Sequence, residues 1–186
     1  MPVAWVIAPY RAGERSQVRA LALALAARGF SVREIELEYR PWAVWPHVRG
    51  ADSLAGLRPA CRDRLHPPWP DVVVSSGVRN EPVCRWIRAA GGGHTRYVHV
   101  GKPWAAPERF DLVVTTPQYR VPDHPQVLNN DLTLHALDEA ALEGARARWQ
   151  GQFAGLPRPW TGVLVGGNSG PFTLGERAAR SLLQQA

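Results

Sequence analysis

Short runs of apolar residues alternate along this chain with segments whose leucines and alanines recur at helical spacing. The first run covers residues 3–8, and the helical pattern that follows it ends at Gly29, a residue type that often terminates helices. Residues 31–37 then alternate apolar and polar side chains, which predicts a second strand near an edge of the sheet. The opening of the chain therefore predicts a strand–helix–strand unit.

The same alternation continues through the middle of the chain. Apolar strands are predicted within residues 70–77, 95–100 and 110–115, and a helix is predicted over residues 81–90. Nearly continuous apolar strands that alternate with helices indicate a parallel sheet that is covered on both faces. We therefore expect an α/β fold, with a Rossmann-like parallel sheet and helices on both of its faces.

A long connection between the second and third predicted strands carries several tryptophans. It runs from residue 39 to residue 70, contains Trp42, Trp45 and Trp69 among many prolines, and has a short helix predicted over residues 52–58. We expect a surface connection with aromatic anchors, in preference to a surface on which a ligand stacks.

The last part of the chain predicts the start of another unit. An amphipathic helix over residues 138–154 is followed by a proline-rich hinge and then by a strand, a glycine-rich turn and a helix over residues 173–185. A single such unit cannot form a core of its own. The expected division is an N-terminal domain, residues 1–156, and the hinge with the beginning of an incomplete second domain, residues 157–186. Exposed apolar surface on the last helix would favour self-association.

Composition and charge narrow the classes of partner. The formal charge of +6 comes almost entirely from arginines spread evenly along the chain, without the clustered basic and aromatic residues of a nucleic-acid surface. The two cysteines cannot form a disulfide framework. The apolar N-terminus meets Arg11 too early for a signal peptide. We expect a cytoplasmic protein without a specific nucleic-acid partner, with peripheral contact at the inner membrane left open.

Candidate chemistry lies in the loops that follow the predicted strands, because ligands of open parallel sheets bind beyond the carboxyl ends of the strands. The sharpest signal is V-L-V-G-G-N-S-G, in which backbone N–H groups could hold a phosphate at a helix N-terminus. A tight turn that needs no ligand explains the same glycines equally well. The candidate phosphate-binding residues here are Gly166, Gly167, Asn168 and Ser169.

Two earlier loops supply further candidate ligand-binding residues. Gly13 and Gln17 follow the first strand, where helix capping is the alternative role. Gly77, Arg79 and Asn80 follow the third strand and offer space and hydrogen-bond donors to an anion or a sugar, although a capping turn again explains the pattern.

His99 is the candidate catalytic residue. It stands at the end of a predicted strand, where it could act as a general base on a sugar hydroxyl, or could simply be packed in the core. The other histidines and the cysteines show no metal-ligand spacing, so no metal and no cofactor are predicted.

These loops together resemble a known family. The blocks, in chain order, are G-E-R-S-Q at residues 13–17, P-D-V-V-V-S-S-G-V-R-N-E-P at 70–82, G-G-x-T-R-x-V-H at 92–99, F-D-L-V-V-T-T-P-Q-Y at 110–119, L-N-N at 128–130, L-H at 134–135 and V-L-V-G-G-N-S-G-P-F at 163–172. The series resembles the mitochondrial-fission family named after the plant elongated-mitochondria protein. Bacterial members of that family are often labelled nucleoside-diphosphate-sugar epimerases.

The resemblance implies a GT-B-like glycosyltransferase fold, with two Rossmann-like domains and the nucleotide-sugar held mainly by the second. In plants the family is linked to recruitment of the fission dynamin to the mitochondrial surface. This chain departs from its relatives, which commonly show G-D-N-x-Q and G-R-[RK] where Glu14, Arg15 and the loop at Gly77 stand. The second-domain blocks S-R-R-T and D-S-x-S-M do not occur before residue 186, so we expect a chain that is inactive alone.

Three functions follow from this reasoning. The first is a glycosyltransferase-like protein that binds a nucleotide-sugar, as donor substrate, or another phosphorylated small molecule at the strand ends. The second is a non-catalytic scaffold or adaptor of the mitochondrial-fission family. The third is a nucleoside-diphosphate-sugar epimerase, which conflicts with the absence of a G-x-G-x-x-G fingerprint after the first strand.

Overall fold

The computed structural model describes residues 1–168 and 173–185, apart from the side chains of residues 47 and 48. Its contacts divide the chain into two compact units, Met1–Ala136 and Leu137–Ala186.

The first unit is built on a sheet of six parallel strands in the order β2-β1-β3-β4-β5-β6. The strands are β1 Val3–Ile7, β2 Ser31–Ile35, β3 Val72–Ser76, β4 Arg96–Val100, β5 Leu112–Thr115 and β6 Val127–Asn129. The predicted α/β, Rossmann-like class is confirmed, and so is the position of the second strand at an edge.

Helices cover both faces of this sheet. The helices of the chain are α1 Ala12–Ala27, α2 Trp45–Val48, α3 Pro59–Arg62, α4 Glu81–Ala90, α5 Glu139–Phe153 and α6 Glu176–Gln185. Successive residues of β3 serve different faces, because Val73 packs in the cluster that contains Ile87 of α4, whereas Val74 packs with Val18 of α1. The apolar runs in the sequence therefore correspond to strands that are buried on both sides.

Two local predictions differ from the structure. No helix forms over residues 52–58, where Leu57 instead bridges Tyr39 in antiparallel fashion. The backbone of this stretch is held by distant partners, since the Ser53 N–H donates to the Pro82 carbonyl at 3.1 Å. The pattern also missed β6, a three-residue edge strand whose residues are half-buried or exposed and therefore give little hydrophobic signal.

The second unit contains α5 and α6. Asp138 caps α5 by accepting a hydrogen bond from the Ala141 N–H at 2.8 Å. Residues 161–168 join no strand ladder within the described chain, so the strand predicted before the glycine-rich turn is not formed there, and Leu164 is fully exposed. A strand needs a neighbour for its backbone groups, which the local pattern does not supply. The domain limits 1–156 and 157–186 stay a prediction.

Candidate functional site

All six strands are parallel, so the loops that follow them lie on the same side of the sheet, beyond the carboxyl ends of the strands. We call this end of the sheet the rim. The chain moves from β1 to one neighbour, β2, and then returns to the other neighbour, β3. At such a switch point the loops after β1 and β3 lead to opposite faces and leave a crevice, which is where open α/β sheets bind their ligands.

The buried side chain of Asn80 connects the loops of the rim through hydrogen bonds. Its amide nitrogen donates to Ser75 Oγ at 2.6 Å and lies within 3.1 Å of the Ser76 carbonyl and 3.3 Å of the Ala8 carbonyl. The Tyr39 hydroxyl donates to its amide oxygen. Both polar ends of this buried side chain are thus engaged with the protein, joining the ends of β1 and β3 to the chain beyond β2.

Gly77 allows α1 to approach the loop after β3. Its φ of +84° is a conformation that favours glycine, and a Cβ at this position would stand 3.0 Å from Glu14 Oε2. Burial raises the pKa of the Glu14 carboxyl above its ordinary value, and the Arg11 guanidinium and backbone lower it in part. The structure therefore brings the predicted residue Gly77 against the first turn of the helix that carries Gly13 and Gln17.

The N-terminus of α1 lacks a side-chain cap. Arg11 occupies the capping position and makes no capping hydrogen bond. The Gly13 carbonyl accepts from Ser16 Oγ at 3.0 Å and has Gln17 Nε2 at 3.4 Å. Both side chains donate to a carbonyl oxygen, so neither of them accepts a hydrogen bond from the N–H groups of the first turn. These N–H groups therefore have no capping side chain.

A cleft of about 440 Å³, which we call the rim cleft, lies beside the crevice, at the ends of β1 and β2. Arg15 pairs with Glu36 at 2.7 Å, and Arg58 lies 3.5 Å from Glu38. Four arginines against two glutamates leave the lining with an excess of two positive charges. The lining residues are Ala8, Pro9, Tyr10, Arg15, Glu36, Leu37, Glu38, Tyr39, Arg58, Arg64 and Arg79.

Arg79 is the predicted site residue that faces this cleft. Its guanidinium lies 5.6 Å from the centre of the Tyr10 ring, a cation–π arrangement. Within the described residues no carboxylate lies at ion-pair distance from Arg79. Arg79 and Asn80 are sequence neighbours, yet one faces the cleft and the other lies under the rim.

His99 lies inside the core of the first unit. It is fully buried, its Nδ1 is 3.0 Å from the Tyr97 hydroxyl, and its ring centre is 5.2 Å from that of Phe110. A general base must reach the proton that it abstracts. This geometry favours the packed alternative that the sequence allowed for His99.

Glu81 is a buried carboxylate that the sequence analysis did not single out. It accepts hydrogen bonds from the backbone N–H groups of Trp104 at 2.8 Å and Ala105 at 3.0 Å, and Arg85 Nη1 lies 3.5 Å away. Burial raises the pKa of Glu81, and the two backbone bonds and Arg85 counteract this in part. The one sequence signal for Glu81 was its position as an acidic residue in the first turn of α4. Its contact with the loop after β4 depends on the folded chain and could not be predicted from that position.

The glycine-rich candidates belong to the second unit. Asn168 Oδ1 accepts a hydrogen bond from the Leu174 N–H at 2.8 Å, which is an internal contact of that unit. A Cβ on Gly166 or Gly167 would meet no atom of the described residues within 4 Å. Packing therefore does not explain these two glycines, and Ser169 lies outside the described residues.

Comparison with known proteins gives one assignment. No curated protein matches the chain. Among the described residues, no helix has both the length and the apolar character needed to cross a membrane. The model of the family described as mitochondrial fission ELM1 matches residues 12–186, which is nearly the whole chain. By this match, and with the fold and rim described above, the chain belongs to the mitochondrial fission ELM1 family.

Proposed function

We propose that the rim cleft of the first unit binds a phosphorylated small molecule of the nucleotide-sugar type, and that the protein is glycosyltransferase-like. The observation that carries this proposal is Arg79, a cleft arginine that no carboxylate of the described chain neutralises. A guanidinium fixed on an aromatic ring beside a strand end is well suited to phosphate, because its planar fork matches the phosphate oxygens.

Two further features support an anionic ligand. The excess of two positive charges in the cleft lining attracts an anion. The uncapped first turn of α1 adds N–H donors and the positive end of the helix dipole at the rim. A volume of about 440 Å³ falls within the range of small-molecule sites.

The remaining predicted residues take different parts in this proposal. Gly77 keeps the crevice open, and Gly13 and Gln17 lie on the helix that borders it, whereas Asn80 positions the loops. Gly166, Gly167, Asn168 and Ser169 remain a proposed phosphate cradle of the second unit. A general-base role for His99 would need the core around Tyr97 and Phe110 to open.

A second candidate function is a non-catalytic scaffold or adaptor of the same family. The burial of His99 favours it, because the histidine proposed for proton transfer does not reach the rim. Such a protein would keep the fold and lack nucleotide-sugar affinity.

Titration calorimetry with UDP-glucose, GDP-mannose and inorganic pyrophosphate tests the proposal. We expect at least one of these probes to bind, and we expect Arg79→Gln to weaken that binding by at least about tenfold, since a charge-assisted hydrogen bond contributes about 1.5–3 kcal/mol. Arg148→Gln is the matched control, because Arg148 stacks on Trp149 at the same 5.6 Å but lies in the second unit.

The outcomes separate the two functions. Binding that Arg79→Gln weakens and Arg148→Gln leaves unchanged supports the cleft. No binding by any probe supports the scaffold. Binding that neither variant changes contradicts the assignment of the ligand to this cleft.

A further inference from the structure

A second groove of about 400 Å³ lies on the connection between β2 and β3 and shares no lining residue with the rim cleft. It has Trp42 and Trp45 on one side, and its lining residues are Trp42, Trp45, Pro46, Arg49, Ala51, Ser53 and Ala55. The structure separates these two tryptophans from Trp69, which packs against Trp5 at 5.8 Å in the core. Only Trp69 is thus an aromatic anchor of the kind that the sequence predicted.

The groove is built on a loop whose ends are held together. Tyr39 bridges Leu57, and the Arg40 N–H donates to the Gly56 carbonyl at 2.9 Å. A Cβ on Gly56 would stand 3.0 Å from the Cα of Ala43, so the backbone segments at these two residues pack closely against each other. A loop closed in this way presents its side chains in a fixed arrangement.

Ion pairs fix the far side of the loop to the rest of the unit. Asp52 Oδ1 accepts from Arg85 Nε at 2.7 Å and from Arg109 Nη2 at 2.6 Å. The Ser53 N–H is bonded to the Pro82 carbonyl in α4 at 3.1 Å. The groove wall at Ala51 and Ser53 is therefore anchored to the rest of the unit.

The two indole rings remain accessible although large apolar side chains are usually covered. Trp42 is 41% exposed and Trp45 is 58% exposed. The Trp45 N–H donates to the Trp42 carbonyl at 3.0 Å, so the two residues stand one turn apart, at a spacing that places side chains on the same side. Both indoles therefore line the same open groove with part of their ring surface exposed.

The groove is also cationic. The guanidinium of Arg40 lies 5.6 Å from the Trp42 ring, and that of Arg49 lies 5.8 Å from the Trp45 ring. Neither arginine forms an ion pair with a carboxylate in the part of the chain that the structure describes. The lining residues that the structure describes include no acidic side chain, and the nearby Asp52 is held by Arg85 and Arg109. The complementary partner carries negative charge.

We propose that this groove binds an acidic oligosaccharide, with consecutive pyranose rings on Trp42 and Trp45 and a carboxylate on Arg49. The C–H face of a pyranose stacks on an indole ring, and a guanidinium binds a carboxylate through paired hydrogen bonds. A ligand of several rings uses both indoles of an open groove, whereas a single nucleobase uses one. This site goes beyond the function proposed for the rim cleft and does not depend on it.

Titration calorimetry of the full chain with trigalacturonate and with a trimer of mannuronate tests the proposal, and maltotriose is the neutral probe. We expect an acidic trimer to bind at least about fivefold more tightly than maltotriose, and Trp45→Ala to weaken that binding by about tenfold. Arg49→Gln is expected to weaken it and to reduce its dependence on salt concentration.

Trp160→Ala is the matched control, because Trp160 is also exposed and carries a stacked arginine, Arg158, but belongs to the second unit. Unchanged circular dichroism of Trp45→Ala would show that it folds, as expected for an exposed side chain. Failure of both acidic trimers to bind, equal binding of maltotriose, or equal loss in Trp160→Ala would overturn the proposal. Stronger groove-dependent binding of uridine diphosphate would overturn the saccharide assignment. We expect Arg79→Gln to leave trimer binding unchanged, because Arg79 lines the rim cleft and not this groove, so a failure here is distinct from a failure of the rim cleft.

Discussion

The carboxylate oxygen Oε2 of Glu14 lies 3.0 Å from the point at which a Cβ on Gly77 would stand. The two residues come from different loops of the rim, one from the first turn of α1 and the other from the end of β3. The space that Glu14 occupies beside the end of β3 depends on the missing side chain and the positive φ of Gly77.

Gly77→Ala is expected to lower the free energy of unfolding by about 1–2 kcal/mol, because an L side chain at a φ of +84° is strained and would also displace Glu14. Chemical denaturation measures the change. Gly144→Ala is the control, since Gly144 lies within α5 with open space around it and alanine favours a helix. An equal effect of the two substitutions would contradict the strain at Gly77.

The stability of the protein should depend on the ionisation of Glu14. Its pKa is raised in the folded state above the ordinary value of 4.5, so the folded protein binds the proton more tightly than the unfolded chain does. The contribution of Glu14 to stability is therefore fully present below pH 4.5 and is lost as the pH rises through the folded-state pKa. Denaturation of the wild type and of Glu14→Gln between about pH 4 and 7 should show the wild type falling relative to the variant. A difference between them that stays constant with pH would refute this.

Arg85→Met should destabilise the protein by about 3–5 kcal/mol, because it removes a buried guanidinium that pairs with both Glu81 and Asp52. The Arg85 side chain is only 2% exposed and also binds Asp52. Arg180→Met removes an arginine from the same spacing, four residues after Glu176, but on an exposed surface. There we expect a loss below about 1 kcal/mol, and similar losses for both variants in denaturation experiments would disprove the role of burial.

The bond between Tyr39 and Asn80 should appear as a coupling energy. Tyr39→Phe leaves the amide oxygen of Asn80 without its donor, and Asn80→Ala removes the centre of the hydrogen-bond cluster at the rim. In a double-mutant cycle followed by thermal unfolding we expect a coupling of about 0.5–3 kcal/mol. Tyr10→Phe is the control, because the exposed Tyr10 keeps its ring contact with Arg79 and should unfold like the wild type. Additive effects of the two single changes would exclude the coupling.

The sequence by itself determined the strands of the sheet other than β6 and the class of fold. The strands β3 and β5 are buried on both faces, so their valines form unbroken apolar runs. Such runs can be identified as strands from the local sequence alone. The same pattern located the loops at the strand ends. The pattern missed β6, which is short and largely exposed, and wrongly predicted a strand before Gly166, because strand formation depends on a partner.

Only the tertiary structure decided which side chains of those loops face a ligand. Asn80 turns beneath the rim because Tyr39, which is 41 residues earlier in the chain, and the end of β1 supply its hydrogen-bond partners, while its neighbour Arg79 meets the ring of Tyr10 in the cleft. For the same reason, Trp42 and Trp45 line a groove, whereas Trp69 is partly buried against the core. Local pattern fixes the periodicity of a segment, whereas the direction of a loop side chain follows from contacts that only the folded chain brings together.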